Sequence, residues 1–467
     1  MLNCDTYYTT MAKSRRDFIK KTGFIGIGFM GLKLYACGSK STTGELVAET
    51  ILDYGPLVKD SLGVLDLPEG FSYKVISKQG EPMEDGLLVP GKPDGMAAFM
   101  AEDGRVIVVR NHEIVPADKP LGAFGLENAN LAAIPKADFY EYGSGEFPGL
   151  GGTSTFVFNE ETMEIEKQFL SLAGTYRNCA GGPTPWGSWL TCEEDVTKKG
   201  ELDGNVEKDH GYVFEVPATD TITLASPKPI KEMGRFNHEA VAYDPEGGIL
   251  YMTEDRHDGL LYRFIPNKKN DLHSGGKLQA LAIKNGPKFD TRNWPDTVGP
   301  DIQPNVAMKL EWIDLDDVES PQDDLRMRGH EKGAAIFARG EGMWYDQDVI
   351  YFACTNGGNL MKGQVFKLTP NAEGGELELF IEPNNVDIMK YCDNLTVAPW
   401  GDVMICEDDL DPYLRGVTPE GHIFTFGHNT AYQSEFSGIC FSPTGKTMFV
   451  NIQHVGLTLA ITGPWKG

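Results

Sequence analysis

A chain of 467 residues with 41% hydrophobic and 24% charged side chains can bury a sizeable core, which excludes a disordered protein and a membrane bundle. Its formal charge of −26 repels phosphate backbones and anionic lipid surfaces, and so excludes nucleic acid as a structural partner. Gly (54) and Pro (28) make up about 18% of the chain, above the roughly 12% of average usage, and this excess predicts many turns.

Ser14-Arg15-Arg16-Asp17-Phe18-Ile19-Lys20 follows the twin-arginine export pattern, and the Gly-rich apolar stretch behind it, Thr22 to Leu32, is too short to span a bilayer as one helix. Leu34-Tyr35-Ala36-Cys37 then reads as a lipoprotein cleavage box with Cys37 lipidated, or as an ordinary cleavage region, and Met11 is a second candidate start. The expected organisation is a signal segment over 1–37, a linker over 38–65 and one domain over 66–467, with a periplasmic or membrane-anchored location and a monomeric state. Removing residues 1–36 takes away six basic and two acidic side chains and leaves −30. Cys192, Cys354 and Cys406 each close an apolar strand-like run, the setting of a buried thiol rather than of a disulfide framework.

Internal repeats then set the architecture. The string from Pro185-Trp186-Gly187 to Cys192-Glu193-Glu194-Asp195 recurs from Pro399-Trp400-Gly401 to Cys406-Glu407-Asp408-Asp409. Looser copies run from Glu102 to Glu113, Pro245 to Asp255, Gln347 to Asn356 and Pro443 to His454, each a turn followed by an apolar strand. Between most of them lies a strand with a central aromatic, as in Phe156-Val157-Phe158, Val213-Phe214, Leu261-Tyr262, Val365-Phe366 and Ile423-Phe424. Phe71 to Ile76 has the same look and is placed to close a ring beside the last repeat. Short strands at this period predict an all-β, six-bladed β-propeller with loop insertions, one of them within residues 267–330.

Stepping back six residues from each repeat turn reaches Asp94, Cys179, Glu239, Glu341 and Asp393, with Ser437 in the sixth copy. Equivalent positions on innermost propeller strands converge on the axis, so these carboxylates and one thiolate repel one another unless cations lie among them. Carboxylates alone suit calcium, and adding a thiolate suggests a transition metal such as iron or zinc. Glu113 and Glu194 end repeat strands and are positioned to add oxygen ligands, whereas Glu193 and Asp255 fit solvent-facing places equally well. His112 and His238, in duplicate Asn-His-Glu strings, read as orienting or satisfied core groups. Arg339, two residues before Glu341, shares its strand face, and a fixed guanidinium there suits phosphate or pairs with a ring carboxylate.

The strings Asn178-Cys179-Ala180-Gly181-Gly182-Pro183-Thr184-Pro185-Trp186-Gly187, Gly234-Arg235-Phe236-Asn237-His238-Glu239, Arg339-Gly340-Glu341-Gly342 and Asn451-Ile452-Gln453-His454 resemble the PhoX-type alkaline phosphatases, from about Gly70 to Trp465. The resemblance implies twin-arginine export and a cluster of ferric iron and calcium that hydrolyses small-molecule phosphate esters. Carried over by motif, it implies Cys179, Glu239 and Glu341 as iron-side ligands and Asp393, Glu113 and Glu194 as further metal ligands. Arg339 becomes the phosphate clamp, and Asn178 a second group at the substrate. Val455 stands where the family tends to have Pro.

Metal-assisted hydrolysis is the expected chemistry, because metal coordination supplies a nucleophile near neutral pH without a side-chain base. No nucleophile elbow, phosphate-binding Walker loop, dinucleotide fingerprint or His-Glu-x-x-His helix is found. A calcium-dependent lactonase propeller and a non-catalytic binding propeller are the competing readings.

Overall fold

The computed structural model describes residues 53–466, and the twin-arginine string, Met11 and Cys37 lie outside the described residues. Almost every apolar run bounded by Gly or Pro forms a strand; the inner strands are buried nearly throughout and so are covered on both faces, whereas outer strands such as Ser72–Lys78 and Met308–Asp314 are largely exposed or half-buried. The aromatic strands pack as foreseen against the repeat strands: Phe156 lies opposite Val108 and Phe366 opposite Phe352. Ile423–Asn429 is an exception in placement, since Tyr413–Val417 intervenes and pushes it one strand further out.

The strands form antiparallel meanders arranged like the blades of a propeller, each starting from one innermost strand: Pro93–Met100, Asn178–Pro183, His238–Asp244, Gly340–Asp346, Cys392–Val397 and Phe436–Phe441. Successive innermost strands neighbour one another, and the last neighbours the first, which closes a ring. Hydrogen bonding nevertheless groups the strands into five sheets rather than the six expected. The reason lies in the insertion: its strand Met308–Asp314 pairs at Met308↔Leu377 and Lys309↔Glu376, fusing two neighbouring meanders into one nine-stranded sheet. The meander from Asn178 has only three strands.

Closure joins the two ends of the chain. Ser72–Lys78 pairs antiparallel with Leu457–Thr462, with Tyr73 opposite Ile461, as the sequence led one to expect of residues 71–76. Phe71, Trp400, Phe426 and Phe441 pack around Trp465, with ring centroids 4.7 to 5.5 Å from it. The six cysteines among the described residues are buried and free.

One local device sets the axis. Each innermost strand breaks register with its partner just after its first residue, or in the sixth case its second: between Pro93 and Met96, Asn178 and Gly181, His238 and Val241, Gly340 and Met343, Cys392 and Leu395, and Ser437 and Cys440. A bulge leaves a residue unpaired and re-aims its side chain; five ring positions, Asp94, Cys179, Glu239, Glu341 and Asp393, fall inside these bulges, and Ser437, paired opposite Asn451, stands at the edge of the sixth. The residue after each ring position is Gly, Ala or Asn, because neighbouring strands nearly touch there. A Cβ on Gly95 would lie 2.8 Å from the Cys179 carbonyl, and one on Gly342 2.7 Å from the Asp393 carbonyl and the Asn394 Cα. The Gly342→Ala protein is therefore expected to lose about 1–3 kcal/mol of stability, as overpacking against backbone does. Thermal unfolding checks this, and an unchanged melting temperature would count against the close approach.

Candidate metal centre

The bulges bring the ring together. Ligand atoms of Cys179, Glu194 and Glu239 lie within 4.8 Å of one another, and so do those of Glu239, Glu341 and Asp393. A third group, Asp393, Asp408 and Glu435, meets the same limit, so Glu239 and Asp393 link three triads into one chain of donors. Asp94 and Glu113 belong to none of them. They stand alongside, joined by the Gln453 amide, whose Nε2 donates to Asp94 Oδ2 at 2.8 Å and to Glu113 Oε2 at 3.0 Å. Ser437 donates its hydroxyl to the Pro93 carbonyl.

Neighbouring meanders hold the ring residues by their backbones. Asn111 Nδ2 donates to the carbonyls of Cys179 at 3.0 Å and Ala180 at 2.7 Å, Thr253 to that of Glu341 at 2.7 Å, and Asn451 to that of Asp94 at 2.8 Å. Each of these groups stands two residues before a strand-end group that faces the centre: Glu113, Asp255 and Gln453.

Two guanidiniums face the acids. Arg339 Nε donates to Asp255 Oδ1 at 2.8 Å, and Nη2 donates to Glu341 Oε1 at 2.6 Å and to Asp255 Oδ2 at 3.1 Å. Its Nη1 makes no hydrogen bond among the described residues and lies 3.8 Å from Asp408. Arg177 holds Glu113 at 2.6 Å and Glu194 at 2.7 Å. Both arginines have positive φ, 54° and 45°, and each stands two residues before its ring residue. Such strain persists only where the surroundings over-determine it, here through paired carboxylates.

Three expected placements change. Asn178 is fully buried; its Nδ2 donates to Thr191 Oγ1 at 2.8 Å and its Oδ1 accepts from Thr175 Oγ1 at 2.5 Å. With donor and acceptor engaged inside the sheet, it anchors the Cys179 strand and does not reach a ligand. Glu193 does not face solvent: it is buried and accepts from the backbone N–H groups of Tyr176, Gly211 and Tyr212, with His210 2.7 Å away. Asp255 turns to Arg339. Neither His112 nor His238 belongs to a donor triad, and His112 is engaged at both ring nitrogens whereas His238 Nδ1 is buried without a hydrogen-bond partner. His112 contacts the Gly91 carbonyl and Ser154, and His238 stacks on Phe236 and contacts the Gly234 carbonyl.

Asp408, Glu435 and Arg177 were not singled out from sequence, although the repeat carries them. Asp408 occupies in the second Cys-Glu-acid string the place Glu194 occupies in the first. Arg177 and Glu435 precede Cys179 and Ser437 by the same two residues that separate Arg339 from Glu341.

The electrostatics demand cations. Burial pushes the carboxyls of Asp94, Glu194, Glu239, Glu341 and Asp393 well above the ordinary carboxylate range. Neighbouring acids add to the rise: Glu113 beside Asp94, Glu341 beside Glu239, Asp255 beside Glu341 and Asp408 beside Asp393. Burial likewise raises the Cys179 thiol and brings Glu435 up to about 7. Asp393 Oδ1 is buried without a hydrogen-bond partner, a lone acceptor in a set of hard oxygen donors. The donor set therefore fits bound metal.

These shifts have a sign. A carboxyl whose folded pKa is raised keeps its proton when the unfolded chain, at about 4, has lost it, so metal-free stability falls as pH climbs above about 4. Chelator-treated protein is expected to melt at lower temperature at about pH 8 than at about pH 5, and added calcium or iron should raise and flatten that profile. A melting temperature indifferent to both pH and cations would remove the metal centre.

The family profile of alkaline phosphatase PhoX matches residues 52–134 and 157–456. Among curated proteins none matches the sequence. Of solved structures, Pseudomonas fluorescens PhoX in complex with vanadate, a transition-state analogue, is 18% identical with a TM-score of 0.64, covering 89% of this chain and 98% of that one, a likeness of fold. A gluconolactonase from Xanthomonas campestris is 11% identical at a TM-score of 0.38, covering 88% of this chain and 98% of that one. A putative 6-phosphogluconolactonase from Bacteroides uniformis is 12% identical at 0.37, covering 76% of each chain. These last two scores are too low to bear on function. The profile match over most of its length shows that this chain belongs to the PhoX alkaline phosphatase family of metal-dependent phosphoric ester hydrolases.

Proposed function

We propose that the protein is exported by the twin-arginine route and hydrolyses small-molecule phosphate esters, as a monomer outside the cytoplasm, at an iron and calcium cluster on the propeller axis. The nine-stranded sheet is read as two blades fused at their outer strands, which keeps six blades around the site. A lipid anchor at Cys37 would tether the enzyme to a membrane surface.

The observation that carries this reading is the chain of three linked triads beside Arg339, whose Nη1 makes no hydrogen bond among the described residues and lies 3.8 Å from Asp408 of the third triad. Cys179, Glu239 and Glu341 would hold iron, the softer thiolate marking the transition-metal end, whereas Asp393, Asp408 and Glu435 offer the all-oxygen set that calcium takes. Glu194 bridges toward the thiolate end, and Glu113 and Asp94 lie within reach of Gln453 beside it. When bound, the metals supply Lewis-acid charge and a hydrolytic nucleophile near neutral pH.

The side chains of this protein do the rest. Arg339 is fixed through Nε and Nη2 by Asp255 and Glu341, so its Nη1 edge is held ready for a phosphoryl oxygen at no further ordering cost. Arg177 is fixed in the same way by Glu113 and Glu194 on the other side of the centre. Hydrolysis breaks the ester P–O bond, joins water oxygen to phosphorus and leaves one water proton on the departing alcohol.

Release of 4-nitrophenol from its phosphate monoester is expected from protein matured in its own host, and is expected to stop in chelator. Arg339→Ala should lower kcat about 10²- to 10³-fold, the size of effect seen when a preorganised transition-state donor is removed. Cys179→Ser should lower bound iron in elemental analysis while leaving calcium. An Arg339→Ala enzyme with wild-type kcat would eliminate the clamp, and full iron content in Cys179→Ser would eliminate the thiolate ligand.

A further inference from the structure

A cavity of about 520 Å³ opens directly beside the first triad, with Arg177, Glu194 and Asn237 in its lining. The opposite wall comes from two loops: Asp195 to Lys198, which follows the strand Ser188–Glu193, and Pro321 to Asp323 of the insertion. The hydrolytic chemistry described above draws on Arg177 and Glu194 at one edge of this space and on none of its other lining residues.

The cavity is built, not incidental. Arg235 is buried between its walls, donating from Nη1 to the Ser320 carbonyl at 3.1 Å and from Nη2 to the Val196 carbonyl, so one guanidinium ties both loops at a set separation. Lys198 Nζ spans the same gap to the Pro321 carbonyl at 2.7 Å. Arg256 reaches from the cavity toward the centre. Its Nη2 donates to Asn237 Oδ1 at 2.9 Å and faces Asp323 at 3.4 Å, and Asn237 in turn donates to Glu194 at 3.4 Å.

We propose that this cavity is the subsite for the alcohol portion of the ester, and that it selects a polyhydroxylated, sugar-like alcohol over an aryl one. The proposal rests on the phosphatase reading. Its lining mixes guanidinium, ammonium and carboxylate groups with the amide of Gln322 and the hydroxyl of Thr197, and it includes no aromatic ring. A hydroxyl both donates and accepts, so a polyol can satisfy this alternating wall, as a purely anionic group facing Glu194, Asp195 and Asp323 cannot. An aryl group would find no ring to stack on and would strip water from charged side chains without replacing their hydrogen bonds. Sites that hydrogen-bond a substrate hydroxyl discriminate strongly against analogues that lack it.

The test compares kcat/KM for a hexose 6-phosphate with that for 4-nitrophenyl phosphate in the metal-loaded enzyme, in wild type, Arg256→Ala, Arg256→Lys and Gln322→Ala. Wild type is expected to favour the hexose ester. The ratio of the two constants should fall about tenfold in Arg256→Ala, the loss of one charge-assisted hydrogen bond, mainly through KM for the hexose ester, and should recover partly in Arg256→Lys. Gln322 is on an exposed loop, so Gln322→Ala tests the far wall without burdening folding, and a smaller fall in the same ratio is expected. An aryl preference in wild type, or a ratio unmoved by both alanine variants, would overturn the subsite. Calorimetry with a non-hydrolysable hexose 6-phosphonate separates the two readings. Binding that Arg256→Ala weakens, without turnover of any ester, would retain the subsite and discard the phosphatase; binding unchanged in Arg256→Ala would discard the subsite alone.

Discussion

Carboxylates from neighbouring strands, joined by a buried thiol, cannot share so small a volume as anions unless positive charge lies among them. Two guanidiniums, Arg177 and Arg339, each answer two of these acids, Glu113 and Glu194 for the first and Asp255 and Glu341 for the second. The remaining inner donors, Cys179, Glu239 and Asp393, are left either to hold protons or to hold metal. That choice couples the centre to folding: the same burial that pushes these groups to retain protons makes cation binding a contribution to stability.

The scaffold exists to hold this unfavourable arrangement in place. Bulges aim one side chain per innermost strand at the axis, small residues let neighbouring strands approach, and Asn111, Thr253 and Asn451 clamp the carbonyl of a ring residue on an adjacent meander. The load is therefore shared around the ring. Beneath it, Glu193 and Glu407 end equivalent strands as buried carboxylates that accept backbone N–H groups, with a cation beside each, His210 for the first and Arg415 for the second. Burial pulls on the His210 pKa in one direction and its two carboxylate neighbours in the other; the carboxylates win, bringing it to about 9.

Departures from repeat symmetry mark where the sides of the site specialise. One ring position is a thiol and one a hydroxyl, and the groups two residues before the ring are Arg177 and Arg339 on some strands but Asn237 and Glu435 on others. Arg177 and Arg339 precede the Cys179 thiol and Glu341, and Lys92 likewise precedes Asp94, whereas Glu435 completes an all-oxygen triad. The insertion adds a second asymmetry. By pairing its strand with Glu376–Ile381 it fuses two meanders, and its following loop walls the cavity beside Glu194.

The repeat in the amino-acid string by itself determined the all-β meanders, the position on each that faces the axis, the closure by residues near Phe71, and a ring of acids with one sulfur. These follow from local period and turn chemistry, which act within one repeat. The strand-end acid Asp408 was equally legible, because its place matches that of Glu194. Only the tertiary structure decided what each polar group meets. Asn178 and Glu193 adjoin candidate ligands in sequence yet turn into the sheet, because side chains alternate faces along a strand and the bulge falls between particular residues. The pairing of Arg177 with Glu113 and Glu194, the fused nine-stranded sheet and the walled cavity all join segments far apart in the chain. Such contacts depend on how whole meanders pack, and no local pattern encodes that.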